Sequence, residues 1–254
     1  MKYQLTITQP TIIKKRPLQS IVLPSNEKRL IAADSSFYLN SCKDDREHWQ
    51  IRFADSWSEI WYIFKKHCVV NEVGYPLIQE RPASIKLKVP YKSQLDNEEN
   101  PTGSCNVTSL AMAIEFLDPD AGDLIGRQFE DHLYRLMENN GLSRHNPQDL
   151  AKIVTDFYHL QDDFTVFGSF ERCRNHLAMG NPCVIHGYFT SFGHIVTLAG
   201  YDATGFLVHD PYGEWFPDGY DTAASGAFLH YSYDLITQVC MPDDQFWVHY
   251  IEKR

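Results

Sequence analysis

TGSCNVTSLAMAIEFL, residues 102–117, sets one cysteine where a turn becomes a helix. Thr102, Gly103 and Ser104 read as turn and cap residues, and from Val107 onward Leu110, Ala111, Ile114 and Leu117 recur at the spacing of an amphipathic helix. Cys105 therefore opens that helix. Unpaired N–H groups and the positive end of the helix dipole favour an anion at such a position and lower a thiol's pKa toward neutrality. On this segment alone two readings of Cys105 stay open: an activated nucleophile, or a small buried apolar residue.

A cysteine nucleophile needs a base within hydrogen-bond reach, and the base needs a partner that fixes its tautomer. FGHIVTLAGYDATGFLVHDPYGEW, residues 192–215, offers both. It reads as a β-hairpin with His194, preceded by Gly193, at the start of one strand and Asp210 at the end of the next, so the two ends lie side by side. The expected scheme joins the Nδ1 proton of His194 to the carboxylate and leaves Nε2 facing the cysteine. Gln94, in VPYKSQLDN, stands eleven positions before Cys105, where a side-chain amide beside the nucleophile's own N–H can stabilise an oxyanion.

The series Gln94, Cys105, His194, Asp210, in the contexts VPYKSQLDN, CNVTSLAMA, GHIVTLAGYD and HDPYG, resembles the papain-like cysteine peptidases of the double-glycine-peptidase type, in their stand-alone bacterial and phage branch. The resemblance spans about residues 86–251. It implies a Cys-His-Asp triad with Cys105 as nucleophile, His194 as general base, Asp210 as orienting residue and Gln94 in the oxyanion hole, without a cofactor or metal. Many members follow the cysteine with Gly-Pro, whereas Asn106 and Val107 follow it here.

The flanking pattern predicts an α+β organisation, a helical half facing an antiparallel sheet. RQFEDHLYRLMENNG has helical periodicity with Gly141 as its stop, Asn146-Pro147 caps a second helix through DLAKIVTDFY, and Ser169 begins a third that ends at Gly180. Strands are expected near CVIHGY, HIVTLAGY, FLVHD and FWVHYIE. The segment PYGEWFPDGYDTAASGAFLHYSYDLI leaves the sheet beside His194 and reads as a cleft wall, with Tyr212, Trp215 and Gly193 as substrate-binding candidates; the alternative is that its aromatics cover the sheet.

Residues 1–74 have a different texture. TIIKKRPLQ, KRLIAADSSFYL, HWQIRFA and IWYIFKKHCVV are short β-prone runs spaced by polar turns, which predicts a small all-β barrel, and they resemble the SH3-like N-terminal modules of bacterial cell-wall and peptidase proteins. Trp49, Trp57, Trp61 and Tyr62 line a groove or fill its core. Residues 75–85 read as a linker and 86–254 as the catalytic domain.

Composition narrows the function further. The 254 residues carry a formal charge of −10, with 11 Lys and Arg against 9 Asp and Glu in residues 1–80 and 12 against 24 in residues 81–254. Nucleic acid is excluded as the main partner, because phosphate binding needs clustered cations. The six cysteines form no CxxC pair and read as free thiols. No stretch reads as a signal peptide or membrane span, so cytoplasmic synthesis is expected, with release by lysis or carriage on a phage particle if the protein acts outside the cell. Asp118, Asp120 and Asp123 lack the glycine and glutamate of a calcium loop. His186, His194 and His209 with Cys105 match no zinc spacing, and His186 and His209 read as core residues of strands. Asn106-Val107-Thr108 is a sequon by chance. The sequence therefore predicts a cysteine peptidase acting on peptide or peptidoglycan; the alternative is a catalytically silent binding or virion component.

Overall fold

Alternation at period two builds the N-terminal part. Leu5 and Ile7, Ile51 and Phe53, and Trp61 and Ile63 stand two apart, so each pair points to one face of its strand and is buried there. A computed structural model describes residues 3–53, 59–72, 81–122, 126, 128–242 and 245–254. The chain divides into two units, Met1–Leu77 and Ile78–Arg254.

The first unit holds β1 (Tyr3–Ile7), β2 (Thr11–Lys14), β3 (Lys28–Ile31), β4 (Ser36–Asp45), β5 (His48–Phe53), β6 (Trp61–Phe64) and β7 (Cys68–Glu72). They form one antiparallel sheet in the order β3-β2-β6-β5-β4-β1-β7, irregular where β4 shifts register on β5 between Leu39 and Ser41. Of the aromatics expected in a groove or core, Trp61 is in the core at 1% exposure, with the Lys15 ammonium 4.8 Å from its ring centre. Trp49 is half-buried beneath Lys65, Tyr62 accepts a hydrogen bond from Gln50, and Trp57 lies outside the described residues. Most of the expected linker, residues 75–80, also lies outside them.

The second unit continues with β8 (Ile85–Lys86), α1 (Cys105–Leu117), α2 (Phe129–Asn139), α3 (Pro147–Lys152), β9 (Leu160–Thr165), α4 (Phe170–Ala178), β10 (Cys183–Gly187), β11 (His194–Tyr201), β12 (Gly205–His209), β13 (Glu214–Phe216), β14 (Gly219–Asp221), β15 (Leu229–Ser232), α5 (Tyr233–Cys240) and β16 (Val248–Lys253). Its antiparallel sheet runs β15-β12-β11-β10-β16-β9, with β8 added to the far end of β11. Ser169 and Asn146 cap α4 and α3 as the sequence predicts, each accepting a backbone N–H two or three residues on. The helix begun at Pro147 does not continue to Tyr158; after Lys152 it widens into a π-helical turn, Ile153–Phe157, where β-branched Ile153, Val154 and Thr155 crowd the backbone.

Helix α1 is not amphipathic. Every residue from Asn106 to Ile114 is buried, because the helix is covered on opposite sides. Val107, Leu110 and Ile114 share a core with Val184, Ile195 and Ile251 of the sheet and with Leu133 and Met137 of α2, while Met112 packs with Val89 and Ala199. Ser104, expected to cap it, makes no capping hydrogen bond; its hydroxyl instead accepts from Asn97 Nδ2 at 2.8 Å.

Two buried hydrogen bonds lock α1 onto β11. Ser109 Oγ donates to the Ile195 carbonyl at 2.9 Å, and Thr197 Oγ1 donates to the Ser109 carbonyl at 3.0 Å. They fix the start of α1 against the start of β11. Thr197→Val keeps the volume and removes the hydroxyl's bond to the Ser109 carbonyl, which retains its helical partner, so chemical denaturation should show a loss of about 0.5–1.5 kcal/mol.

Candidate active site

Asp210 follows β12 directly, and its carboxylate is fully buried. Four donors fill it: Oδ1 accepts from His194 Nε2 at 2.7 Å and from the Tyr212 N–H at 3.0 Å, while Oδ2 accepts from the Tyr220 hydroxyl at 3.0 Å and the Tyr231 hydroxyl at 3.1 Å. The backbone is held as firmly. Asp210 N–H donates to the Gly226 carbonyl, and the Tyr91 hydroxyl donates to the Asp210 carbonyl while accepting the Gly226 N–H. A Cβ on Gly226 would stand 1.8 Å from the Asp210 oxygen, so only glycine permits this approach.

The ring of His194 is reversed relative to the scheme read from the sequence. Nε2, not Nδ1, meets Asp210, which leaves Nδ1 as the nitrogen for Cys105. The reason is local. The imidazole is boxed by ring edges of Phe189, Tyr212 and Tyr220 at centroid distances of 5.9, 6.2 and 5.5 Å, and Asp210 emerges behind them, deeper than the cysteine.

Cys105 lines the cavity beside His194 and Ile195, and both act on its thiol. Burial opposes a thiolate there, yet the positive charge of His194, its hydrogen bond and the Ile195 N–H prevail, and the thiol is held below its ordinary value. Burial likewise opposes an imidazolium at His194, but the Asp210 carboxylate and the Cys105 thiolate outweigh it and raise that pKa well above the usual histidine range. The two shifts run in the directions that favour a thiolate–imidazolium pair backed by a carboxylate. That is the arrangement nucleophilic acyl transfer requires.

A cavity of about 520 Å³ opens onto this pair. Gln94, Gly193 and Tyr212 line it with Cys105 and His194. Gln94 is 1% exposed; its Nε2 donates to the Pro101 carbonyl at 2.9 Å and its Oε1 has no partner among the described residues. Trp215 does not line the cavity. Its indole N–H donates to the Phe189 carbonyl at 2.7 Å and its ring packs into the core, so this aromatic covers the sheet. The segment's cleft side is carried by Tyr212, while Tyr220 turns inward to Asp210.

Sequence reasoning missed several neighbours. Arg144 reaches the Gly103 carbonyl at 2.9 Å and the Tyr134 hydroxyl at 3.1 Å, fastening the loop before Cys105. Tyr188 and Phe192 stand at the cavity mouth, 64% and 99% exposed. Tyr220 is among the aromatics of the segment read as a cleft wall, but its bond to Asp210, like that of Tyr231, carried no signal, because an aromatic hydroxyl ten or twenty residues from an aspartate has no pattern. His209 is a core residue as expected, bonded to the Val89 carbonyl and the Phe228 N–H. His186 is not; it lines the cavity. The Asn106 amide of the sequon is buried and donates to the Arg144 carbonyl. Asp123 lies outside the described residues, and no three His, Cys, Asp or Glu among the described residues gather as a metal site. None of the helices among the described residues is long and apolar enough to cross a membrane.

The pair makes a reactivity prediction. Alkylation of Cys105 by iodoacetamide, followed against pH by peptide mass spectrometry, should begin below the ordinary thiol range in the wild type. In His194→Ala the favourable charge is gone while burial remains, so the onset should move to higher pH, and a profile unchanged by the substitution would contradict the pairing.

The family model described as "Peptidase_C39 like family" matches residues 86–241. A solved structure, described as that of a candidate C39-like peptidase from Bacillus anthracis, is similar at 17% identity with a TM-score of 0.46, over 68% of this chain and 100% of the other. Among curated proteins no match is found. The family match spans more than half of the chain and takes in Gln94, Cys105, His194 and Asp210: this protein belongs to the Peptidase_C39 like family.

Proposed function

We propose that the protein is a cysteine peptidase that cleaves peptide bonds through Cys105, His194 and Asp210. The observation that carries this reading is the continuous chain from a fully buried, fourfold hydrogen-bonded carboxylate through one imidazole to a thiol at a helix start, open to a cavity.

The reaction follows from the charges. The Cys105 thiolate attacks the scissile carbonyl, a C–S bond forms and the oxygen takes the negative charge. The Cys105 N–H at the start of α1 and the second N–H of Gln94, beside the one given to Pro101, are the donors for that oxyanion. As the C–N bond breaks, the imidazolium of His194 passes its proton to the leaving amine. Water then attacks the thioester with its proton going to His194, and collapse releases the carboxylic acid and restores the pair. Asp210 stays ionised and holds Nε2, so that Nδ1 always faces the sulfur.

The first unit is proposed as an SH3-like targeting module. Its short antiparallel strands, the irregular β4 and the 3₁₀ turn Lys65–His67 directly before β7 support that. A targeting module joined to a hydrolase suits an insoluble polymer, and cell-wall cross-link peptides are the substrate class proposed.

Incubation with purified cell-wall fragments and with a peptide library, read by mass spectrometry of the products, tests the function. Cys105→Ala should abolish turnover and keep the fold. Asp210→Asn should leave a residue of activity lower by about a thousandfold or more, because the base remains but loses its orientation. Full activity in both would remove the mechanism.

A further inference from the structure

The cavity beside Cys105 is walled without an acid. Residues 81–254 carry 24 Asp and Glu, yet among the described residues none of them lines it, and Arg144 is the lining side chain with a permanent charge. Two buried carboxylates stand behind the wall, each held by an imidazole. Asp210 meets His194 Nε2 at 2.7 Å, and Asp162 Oδ2 meets His249 Nδ1 at 2.8 Å; His249 in turn meets His186, which lines the cavity, at 3.1 Å.

The contacts of Arg144 are with neutral acceptors. Its Nη1 donates to the Gly103 carbonyl at 2.9 Å and to Asn106 Oδ1 at 3.4 Å, and its Nη2 donates to the Tyr134 hydroxyl at 3.1 Å. The guanidinium carbon stands 4.0 Å from the centre of the Tyr134 ring. No Asp or Glu among the described residues forms an ion pair with it; Asp149 of α3 accepts the Ser143 N–H and pairs with Lys152 instead. The printed bonds use three N–H groups and leave Nε–H and one on Nη2 without a partner among the described residues, enough donors for the two oxygens of a carboxylate. Position joins this charge to the chemistry. Gly103 and Asn106 flank Ser104 and Cys105, so the guanidinium is anchored on both sides of the nucleophile, at the positive end of α1. An anion held there adjoins the carbonyl that Cys105 attacks.

We propose that Arg144 is a specificity-determining residue that binds a carboxylate of the peptide substrate beside the scissile bond. A Glu or Asp side chain and a free C-terminus are the two sources of that group. A guanidinium takes a carboxylate in a planar fork, and the stack on Tyr134 fixes its plane beforehand, which lowers the cost of ordering it. The subsite rests on the peptidase reading only for its ligand's being a peptide.

Binding to full-length Cys105→Ala tests it without turnover. A set of glycine- and alanine-based pentapeptides with amidated C-termini carries glutamate at each position in turn, and a matched set carries glutamine. A further pair holds neither residue and differs only in a free or amidated C-terminus. In at least one pair the carboxylate should bind about tenfold tighter or more than its amide, a glutamate pair assigning a side chain and the last pair a chain end. Arg144→Gln should erase that ratio, whereas an arginine that only fastens the loop would weaken both members alike and leave the ratio intact. Arg144→Lys, which keeps the charge and loses the fork, should keep part of it. Asn106→Asp sets a carboxylate against the guanidinium and should lower the ratio severalfold. No discrimination in any pair, or discrimination that survives Arg144→Gln, overturns the proposal. Should Arg144→Gln fail to fold, an unchanged ratio in Asn106→Asp overturns it instead. If the wild type hydrolyses none of these peptides while discrimination depends on Arg144, the peptidase reading falls and the subsite stands; hydrolysis without discrimination removes the subsite alone.

Discussion

A carboxylate sealed from water is tolerated only when its lone pairs are filled, and Asp210 is sealed completely. Its four donors come from four places: the strand start at His194, the turn at Tyr212, and the hydroxyls of Tyr220 on β14 and Tyr231 on β15. Each donor therefore has a structural duty to the carboxylate as well as any chemical one. Removing His194 strips a buried anion of its closest partner, and moving Tyr220 or Tyr231 exposes it. The burial that makes this costly also strengthens the carboxylate's pull on the imidazole, since no water screens the attraction.

The same sheet contains two carboxylate–histidine pairs with different outcomes. His194 has a thiol at its far nitrogen, and the charges of Asp210 and Cys105 raise its pKa. His249 has a second imidazole at its far nitrogen, and that imidazole, His186, is pushed to neutrality by burial. The difference arises from what the third residue is, since both pairs are buried and both bonds are short.

Much of this was legible in the sequence where the signal is local. Cys105 after Thr-Gly-Ser, His194 opening an apolar run and Asp210 before proline mark the ends of elements, and ends are where turn and cap residues leave a record. The antiparallel β11–β12 pairing then follows from one short turn. Contacts set by packing left no such record. The side of the imidazole that meets Asp210 depends on the Phe189, Tyr212 and Tyr220 box. Strand β9, LQDDFT, lacks the apolar alternation of a strand because its two aspartates are partnered by His249 and Arg172 from other elements. Trp215 reads as a cleft aromatic until the Phe189 carbonyl claims its N–H. Helix α1 reads as amphipathic because Asn106, Thr108 and Ser109 are polar, but each is satisfied inside, by Arg144, Asn97 and the Ile195 carbonyl.

The central claim is that folding brings one cysteine of six to a histidine that makes it a nucleophile. Rapid-quench mass spectrometry with a peptide ester tests it most directly, by mapping which residue carries the acyl group before water releases it. The account predicts a thioester on Cys105, present in the wild type and missing from His194→Ala. Acylation at another residue, or equal acylation of Cys105 without His194, would contradict it.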